Sequence, residues 1–136
     1  MGIMETKVVL DTTVLIDAGR NTNNNIQSKM QILSQNYELC TTGINVFEFY
    51  HGAYLSHKAD KNIPIVKGIL QTLKILNTDI ESMEIAGKIM AELDKKGQKM
   101  GFRDVLIAGI CLTHACPIIT SNKKDFERLG VKIIEI

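Results

Sequence analysis

The sequence predicts an α/β fold built on a mostly parallel sheet with helices on both faces. Three observations carry that expectation. Lys7 to Leu10 (KVVL) is an unbroken apolar, β-branched run, the pattern of a strand buried on both sides. Further short apolar runs alternate with stretches of helical periodicity along the chain, the order that builds parallel sheets. The length of 136 residues, 45% hydrophobic and 23% charged, suits one compact domain and excludes intrinsic disorder. A single domain spanning residues 1–136 is therefore expected, with any site at the carboxyl ends of its strands.

Each element follows from local pattern. The first strand ends on Asp11, and Thr12 to Ala18 reads as a turn into a short helix. Asn21 to Asn25 reads as a polar loop, and Ile26, Met30 and Leu33 recur at helical spacing behind it. Glu38 to Thr42 (ELCTT) is a weaker second strand, and Thr42 is suited to cap a helix from about Gly43 to His57. Lys61 to Leu73 reads as helix and Leu73 to Leu76 as extended chain. Thr78 to Glu81 has the capping-box pattern, and Ile85, Ile89 and Leu93 mark an amphipathic helix that stops near Gly97. Phe102 to Ala115 is a helix too apolar to be exposed on any side. Pro117 to Thr120 reads as a strand, Lys124 to Leu129 as a helix closed by Gly130, and Val131 to Ile136 as a last strand. Pro64 and Pro117 read as element boundaries.

Charge and composition exclude several function classes. With 16 basic and 15 acidic residues the net charge is +1, so any contact with nucleic acid must run through a local basic patch rather than the overall field. No apolar run approaches the roughly 18 residues of a membrane helix. The opening MGIMETKVV lacks a charged segment followed by a long apolar one, so no signal peptide and a cytoplasmic location are expected. Cys40, Cys111 and Cys116 then read as reduced, buried thiols. They contain no Cys-x-x-Cys pair and do not read as a zinc site.

Most acids belong on solvated helix faces: Glu81, Glu84, Glu92, Asp94 and Glu127, with Asp79 in a first turn favoured by the helix dipole. Three do not. Asp11 terminates a buried strand, where capping the next helix is the competing explanation. Glu48 interrupts Ile44 to Tyr50 and shares a helix face with Ile44, Gly52 and Leu55, with no Lys or Arg within one turn. Asp104 opens the Val105 to Leu112 run, where a dipole-favoured first turn is again the plain alternative. A parallel α/β topology brings all three to one sheet edge. Gathered there, the carboxylates would raise one another's pKa. A hard divalent cation, Mg²⁺ or Mn²⁺, resolves that conflict and is suited to phosphodiester hydrolysis. Phe47, Phe49, Tyr50, Tyr54, Met83 and Met90 fall at helical spacing and are expected mainly in the core. Phe47, Tyr50 and Tyr54 also form one stripe suited to a partner helix.

Four stretches together resemble the PIN-domain family. Val9 to Asp17 (VLDTTVLID) is similar to its opening motif, and Asn45 to Phe49 (NVFEF) to its second acidic motif. Asp104 to Ala108 (DVLIA) is similar to the third, and Ile119 to Phe126 (ITSNKKDF) to the fourth. The resemblance covers essentially the whole chain and is strongest to the small VapC toxins of type II toxin–antitoxin systems. It implies a three-layer α/β/α sandwich, a metal-dependent ribonuclease, homodimers, and a small antitoxin that blocks the site. By motif, Asp11, Glu48 and Asp104 would hold the metal, Thr13 would support the first carboxylate through its hydroxyl, and Thr120 would line the pocket floor. The fourth motif departs from the pattern: Asn122 stands where many relatives carry an acid, with Asp125 one turn later. Asp125 either supplies that charge as a catalytic residue or caps the helix at Phe126, and one ion held by three acids is what the set supports.

The expected chemistry is in-line hydrolysis of RNA, leaving a 5′-phosphate and a 3′-hydroxyl. His51, His57 and His114 lie outside the acidic motifs and are not required. Arg103, beside Asp104, with Lys123 and Lys124 flanking the last motif, would bind substrate phosphates; Lys95, Lys96 and Lys99 read equally well as a solvated helix end. Two other readings use the same features: a receiver-type signalling domain, which wants an acidic pair after the first strand where Thr12 follows Asp11, and a PIN-like module that binds RNA or a partner without cutting. Nothing in the sequence reads the 2′-hydroxyl, so DNA remains an alternative substrate.

Overall fold

The computed structural model describes residues 6–20 and 24–136. In chain order the elements are β1 (Thr6–Leu10), α1 (Thr12–Arg20), α2 (Asn24–Leu33), β2 (Tyr37–Thr42), α3 (Gly43–Leu55) and α4 (Ala59–Leu70), then β3 (Lys74–Leu76), α5 (Ile80–Lys95), α6 (Phe102–Thr113), β4 (Ile118–Ile119) and α7 (Lys123–Arg128). The four strands form one parallel sheet in the order β3-β2-β1-β4. The chain winds outward from β1 through β2 to β3, then returns to the other side of β1 as β4. The order therefore reverses between β1 and β4, the place where open α/β sheets leave a crevice at the strands' carboxyl ends.

The side-chain alternation of β1 explains the three layers. Val9 points into one core with Cys40, Ile118, Ala86 and the buried faces of α6 and α7. Val8 and Leu10 point into the other, against Val14, Leu15, Phe49, Ala53 and Val66 of α1, α3 and α4. The unbroken apolar run of β1 is thus buried on both faces. The second core is closed by α2, through Leu33 with Ile26 and Met30 at its edge.

Local chemistry sets the helix starts. Thr42 caps α3: its hydroxyl accepts from the Asn45 backbone N–H at 3.2 Å, while the Thr42 N–H donates to Asn45 Oδ1. The helix α5 is capped one residue later than the Thr78–Glu81 pattern suggests. Asp79 accepts from Ser82 N–H at 2.7 Å and the Ser82 hydroxyl answers at 3.0 Å, so the box runs from Asp79 to Ser82. That backbone hydrogen bond, with the Ser82 side chain, holds the Asp79 carboxyl below its ordinary pKa. Gly97 and Gly130, at φ 67° and 85°, end α5 and α7 in the left-handed conformation that glycine tolerates best.

Several expectations need correction. Pro64 lies inside α4 rather than at a boundary; the intrahelical bond it removes is to Asp60, an exposed residue whose carbonyl water can reach. The last strand shrinks to one parallel bridge, Ile118 with Ile133, because β4 is only two residues long and offers no longer ladder. The helix α6 is buried from Asp104 to Cys111 apart from Leu106, yet Phe102 and Leu112 at its ends are exposed. Of the aromatics expected in the core, Phe49 is there, whereas Phe47 and Tyr54 are 68% and 65% exposed. The expected loop at Asn21 to Asn25 lies in part outside the described residues, and its last two residues open α2. Glu81, Glu84, Glu92, Asp94 and Glu127 are all exposed, as their helix faces require.

Two predictions follow from the packing. A Cβ on Gly109 of α6 would meet the Ser82 carbonyl at 2.5 Å and the Ala86 Cβ at 2.9 Å, so α5 and α6 lie in contact through it. Gly109→Ala forces the two helices apart and lowers stability by about 1–3 kcal/mol in urea unfolding. Burial raises all three thiol pKa values, that of Cys40 to about 11. At pH 8 Cys40 is then about one-thousandth thiolate, and an aromatic disulfide reagent should find no reactive thiol until the protein is unfolded, when all three react.

Candidate active site

The site is assembled at the β1/β4 crevice by elements that each end or begin there. Asp11 follows β1, Thr120 follows β4, Asn45 lies in the first turn of α3, Glu48 in its second, and Asp104 in the first turn of α6. Asp11 is 1% exposed, and four donors meet it. Its Oδ1 accepts from the Thr12 N–H at 2.8 Å, Asn45 Nδ2 at 2.8 Å and Arg103 Nη2 at 2.7 Å, and its Oδ2 from the Thr120 hydroxyl at 2.6 Å. Glu48 accepts from the Thr12 hydroxyl at 2.6 Å and from Arg103 Nε at 2.6 Å, through different oxygens. Asp104 accepts from Arg103 Nη1.

The three acids expected to gather therefore do so, around one guanidinium. That guanidinium is the partner Glu48 lacked when only its own helix was considered: Arg103 lies 55 residues further along the chain. Glu48 is also less buried than its apolar neighbours imply, at 28% side-chain exposure. Burial is the largest influence on the Arg103 charge and works against it, but the hydrogen bonds to Glu48 and Asp11 outweigh burial and raise its pKa. Asp104 is pushed above its ordinary value, first by burial. Arg103 pulls it back only in part, while the charges of Asp11 and Asp125 push further.

Four of the remaining expected residues lie on or just before α7. Asp125 is half-buried in the first turn of α7, close enough for its charge to act on Asp104. Asn122 is exposed, and its backbone N–H donates to the Thr120 hydroxyl at 2.9 Å. Lys123 pairs with Glu135 at 2.9 Å on the surface, and Lys124 is exposed. Arg103, expected to face substrate, is instead turned inward onto the acids.

Thr13 does not reach Asp11. It is exposed as the second residue of α1, and its hydroxyl accepts from Ser121 at 3.2 Å. The supporting hydroxyl is that of Thr120, brought beside Asp11 by the parallel pairing of β4 with β1. Two further residues escaped the sequence reading. Thr12 bridges Asp11 and Glu48, and Asn45 ties Asp11 and Thr12 to the cap of α3. The signal for Asn45 was an amide three residues after a capping threonine, inside an otherwise apolar stretch.

The donor set fits a hard divalent cation: three carboxylates, oxygen donors only, converge on one positive group. As the chain stands, no three His, Cys, Asp or Glu side chains among the described residues are arranged to hold an ion. The guanidinium stands among the acids and presents a different nitrogen to each. Beside Glu48 and Arg103 opens a cleft of about 430 Å³ lined by Ile44, Phe47, Asn77, Phe102 and Leu106. A separate apolar groove of about 320 Å³ runs between α1, α3 and α4, past Ile16, Phe49, Ala53 and Ile65, away from the acids.

A parallel sheet with acids at its switch point defines a class, and comparison with known proteins identifies it. The PIN domain model matches residues 8–132, and the chain belongs to the PIN domain family. Within that family it is similar to VapC ribonucleases. It is 30% identical over 128 residues to the tRNA(fMet)-specific endonuclease VapC of Salmonella typhimurium, covering 93% of this chain and 96% of the relative. It is 31% identical over 124 residues to ribonuclease VapC2 of Haemophilus influenzae, covering 90% and 92%. Among solved structures, the DNA-bound VapBC of Salmonella typhimurium superposes with a TM-score of 0.84 at 29% identity over 95% of this chain and 97% of that one. The VapBC2 of Rickettsia felis bound to a promoter fragment reaches 0.86 at 24% identity, covering 96% and 98%. The three-layer α/β/α sandwich expected from the motifs is the fold of the chain.

The exchange of Thr13 for Thr120 is open to measurement. Thr120→Val removes a hydrogen bond to a buried carboxylate and should lower stability by about 1.5–3 kcal/mol. Thr13→Val, on an exposed surface, should stay within about 0.5 kcal/mol. Urea unfolding of both variants in chelator decides which hydroxyl supports Asp11.

Proposed function

We propose that the chain is a Mg²⁺- or Mn²⁺-dependent endoribonuclease, the toxin of a type II toxin–antitoxin pair, with residues 1–136 acting as one catalytic domain. The observation that carries this reading is the convergence of Asp11, Glu48 and Asp104 on a single cationic group at the topological switch point. Those three acids would hold the ion. Bound there, it supplies positive charge at the scissile phosphate and an activated water for in-line attack.

The chain's own residues do the rest. Thr12, Asn45 and Thr120 keep Asp11 and Glu48 in fixed orientations with neutral donors, so the oxygens are placed before an ion or substrate arrives. Asp125, whose charge acts on Asp104, would help orient the attacking water, and the Asn122 amide would offer a neutral donor or acceptor for the same purpose. Lys123 and Lys124, exposed at the start of α7, would contact a strand's flanking phosphates, with Arg103 serving the scissile one. The exposed Phe47 and Phe102 rings line the adjoining cleft and offer apolar faces to an unstacked base. Hydrolysis leaves a 5′-phosphate and a 3′-hydroxyl.

The same reading supplies the partners. VapBC complexes among the structural relatives support an antitoxin that covers the site. The exposed stripe of Phe47 and Tyr54, with Tyr50 stacked on Tyr54 at 6.4 Å, is apolar surface suited to the homodimer or to that antitoxin. Among the described residues no helix is long and apolar enough to cross a membrane, and an RNA substrate sets the cytoplasm as the place of action.

Purified protein freed of any antitoxin should cleave total RNA with Mn²⁺ or Mg²⁺ and stop on chelation, and mapped products should carry 5′-phosphates. Asp11→Asn and Asp104→Asn should each reduce cleavage by about 10²-fold or more, the scale of losing a principal electrostatic group. Cleavage undiminished in chelator, or 2′,3′-cyclic ends, would overturn the reading.

A further inference from the structure

Among the described residues, the Arg103 guanidinium makes its hydrogen bonds to the three acids and to the Thr12 hydroxyl. Nε reaches Glu48 Oε2 at 2.6 Å, Nη2 reaches Asp11 Oδ1 at 2.7 Å and the Thr12 hydroxyl at 3.4 Å, and Nη1 reaches Asp104. One oxygen of every acid is thus held by the same side chain. Asp11 Oδ1 is shared with the Thr12 N–H and Asn45 Nδ2, while the second oxygens, Asp11 Oδ2 and Glu48 Oε1, are held by the Thr120 and Thr12 hydroxyls, neutral groups on or beside α1, α3 and β4. The geometry points to Arg103 as a displaceable cation that competes with a divalent ion for Asp11, Glu48 and Asp104, so that the ion must displace it to be held by all three.

This inference rests on the metal-dependent reading and extends it. Three features of the chain support it. First, ion and guanidinium compete for the same carboxylates: Arg103 takes one oxygen of each acid, and the second oxygens of Glu48 and Asp11 are already held by the Thr12 and Thr120 hydroxyls. Second, a way out exists. The Arg103 side chain is 28% exposed and is carried on the first turn of α6, so a change of rotamer moves it to the rim without moving backbone. Third, the charges favour exchange. Three carboxylates and one guanidinium leave a formal charge of −2, which a divalent ion cancels if the guanidinium stays nearby. Once evicted, Arg103 therefore stays beside the acids at the rim, aimed at the place a substrate phosphate enters. A planar fork suits both partners in turn, since carboxylate and phosphate both accept paired N–H donors.

The test uses the intact protein and reads binding and structure rather than turnover. In ¹⁵N-labelled wild-type protein in chelator, the Arg103 Nε–H resonance should be hydrogen-bonded and slow to exchange with water. Saturating Mg²⁺ should move it to the fast-exchanging position of a solvated arginine. By calorimetry, Arg103→Ala should bind Mn²⁺ about tenfold tighter than wild type or better. Its melting temperature should be lower than wild type in chelator and should recover in saturating Mn²⁺. If Mg²⁺ binds while the resonance stays put, or Arg103→Ala binds Mn²⁺ no more tightly, Arg103 is a fixed clamp and the inference falls, leaving the metal reading intact. If neither protein binds either ion, the metal reading falls and takes this inference with it. Should Arg103→Ala fail to fold, the wild-type resonance decides alone.

Discussion

Three carboxylates do not collect in a protein interior unless something positive stands among them, and in this chain that something is the Arg103 guanidinium. Removing an ionised carboxylate from water without a partner costs several kcal/mol, and Asp11 is almost wholly removed. Burial first, and then the charges of Asp11 and Asp125, push the Asp104 carboxyl above its ordinary pKa despite the opposing pull of Arg103. One monovalent group among three acids is too little charge. That deficit is the physical argument for the proposed divalent ion.

The fold exists around that hollow as much as beside it. The strand β1 is central, its apolar side chains pinned between two cores, and its last residue is followed at once by Asp11. Thr41 on β2 donates to the Leu10 carbonyl at 2.7 Å, so even the neighbouring strand fixes the chain just ahead of the acid. Asn45 serves two purposes with one side chain: its Oδ1 completes the cap of α3 and its Nδ2 holds Asp11 and Thr12. Helix start and acid geometry are consequently one network, and among the described residues no buried side-chain polar atom is left without a partner.

Much of this was legible because the informative residues were chemically out of place. An aspartate ending a strand buried on both faces, a glutamate inside an apolar helix and an aspartate opening another are anomalies that need no structure to notice. Their convergence followed from topology, since strand ends and the first turns after them share one sheet edge. What stayed hidden depends on phase and long-range pairing. Thr13 and Thr120 differ only in which way each hydroxyl faces: one is on the outer side of α1, the other on a strand laid beside β1. The Glu48 partner was invisible to a search of its own helix. The exposure of Phe47 and Tyr54 was equally unreadable, because an aromatic stripe looks the same whether it faces a core or a partner.

The burial of the acids separates two kinds of support. Asp11, deepest, is held mainly by neutral donors on three different elements, and those hydrogen bonds do not depend on which cation is present. Asp104 and Glu48 lie progressively nearer solvent, at 11% and 28% exposure, and Arg103 shares the outer position at 28%. The neutral hydrogen bonds are therefore concentrated at the floor and the charged contacts at the mouth. A site arranged the other way, with the guanidinium buried beneath the acids, would hold its charge permanently and leave no oxygen for an ion. The delocalised cation at the mouth, over a floor whose hydrogen-bond donors to Asp11 are neutral, keeps the three acids assembled.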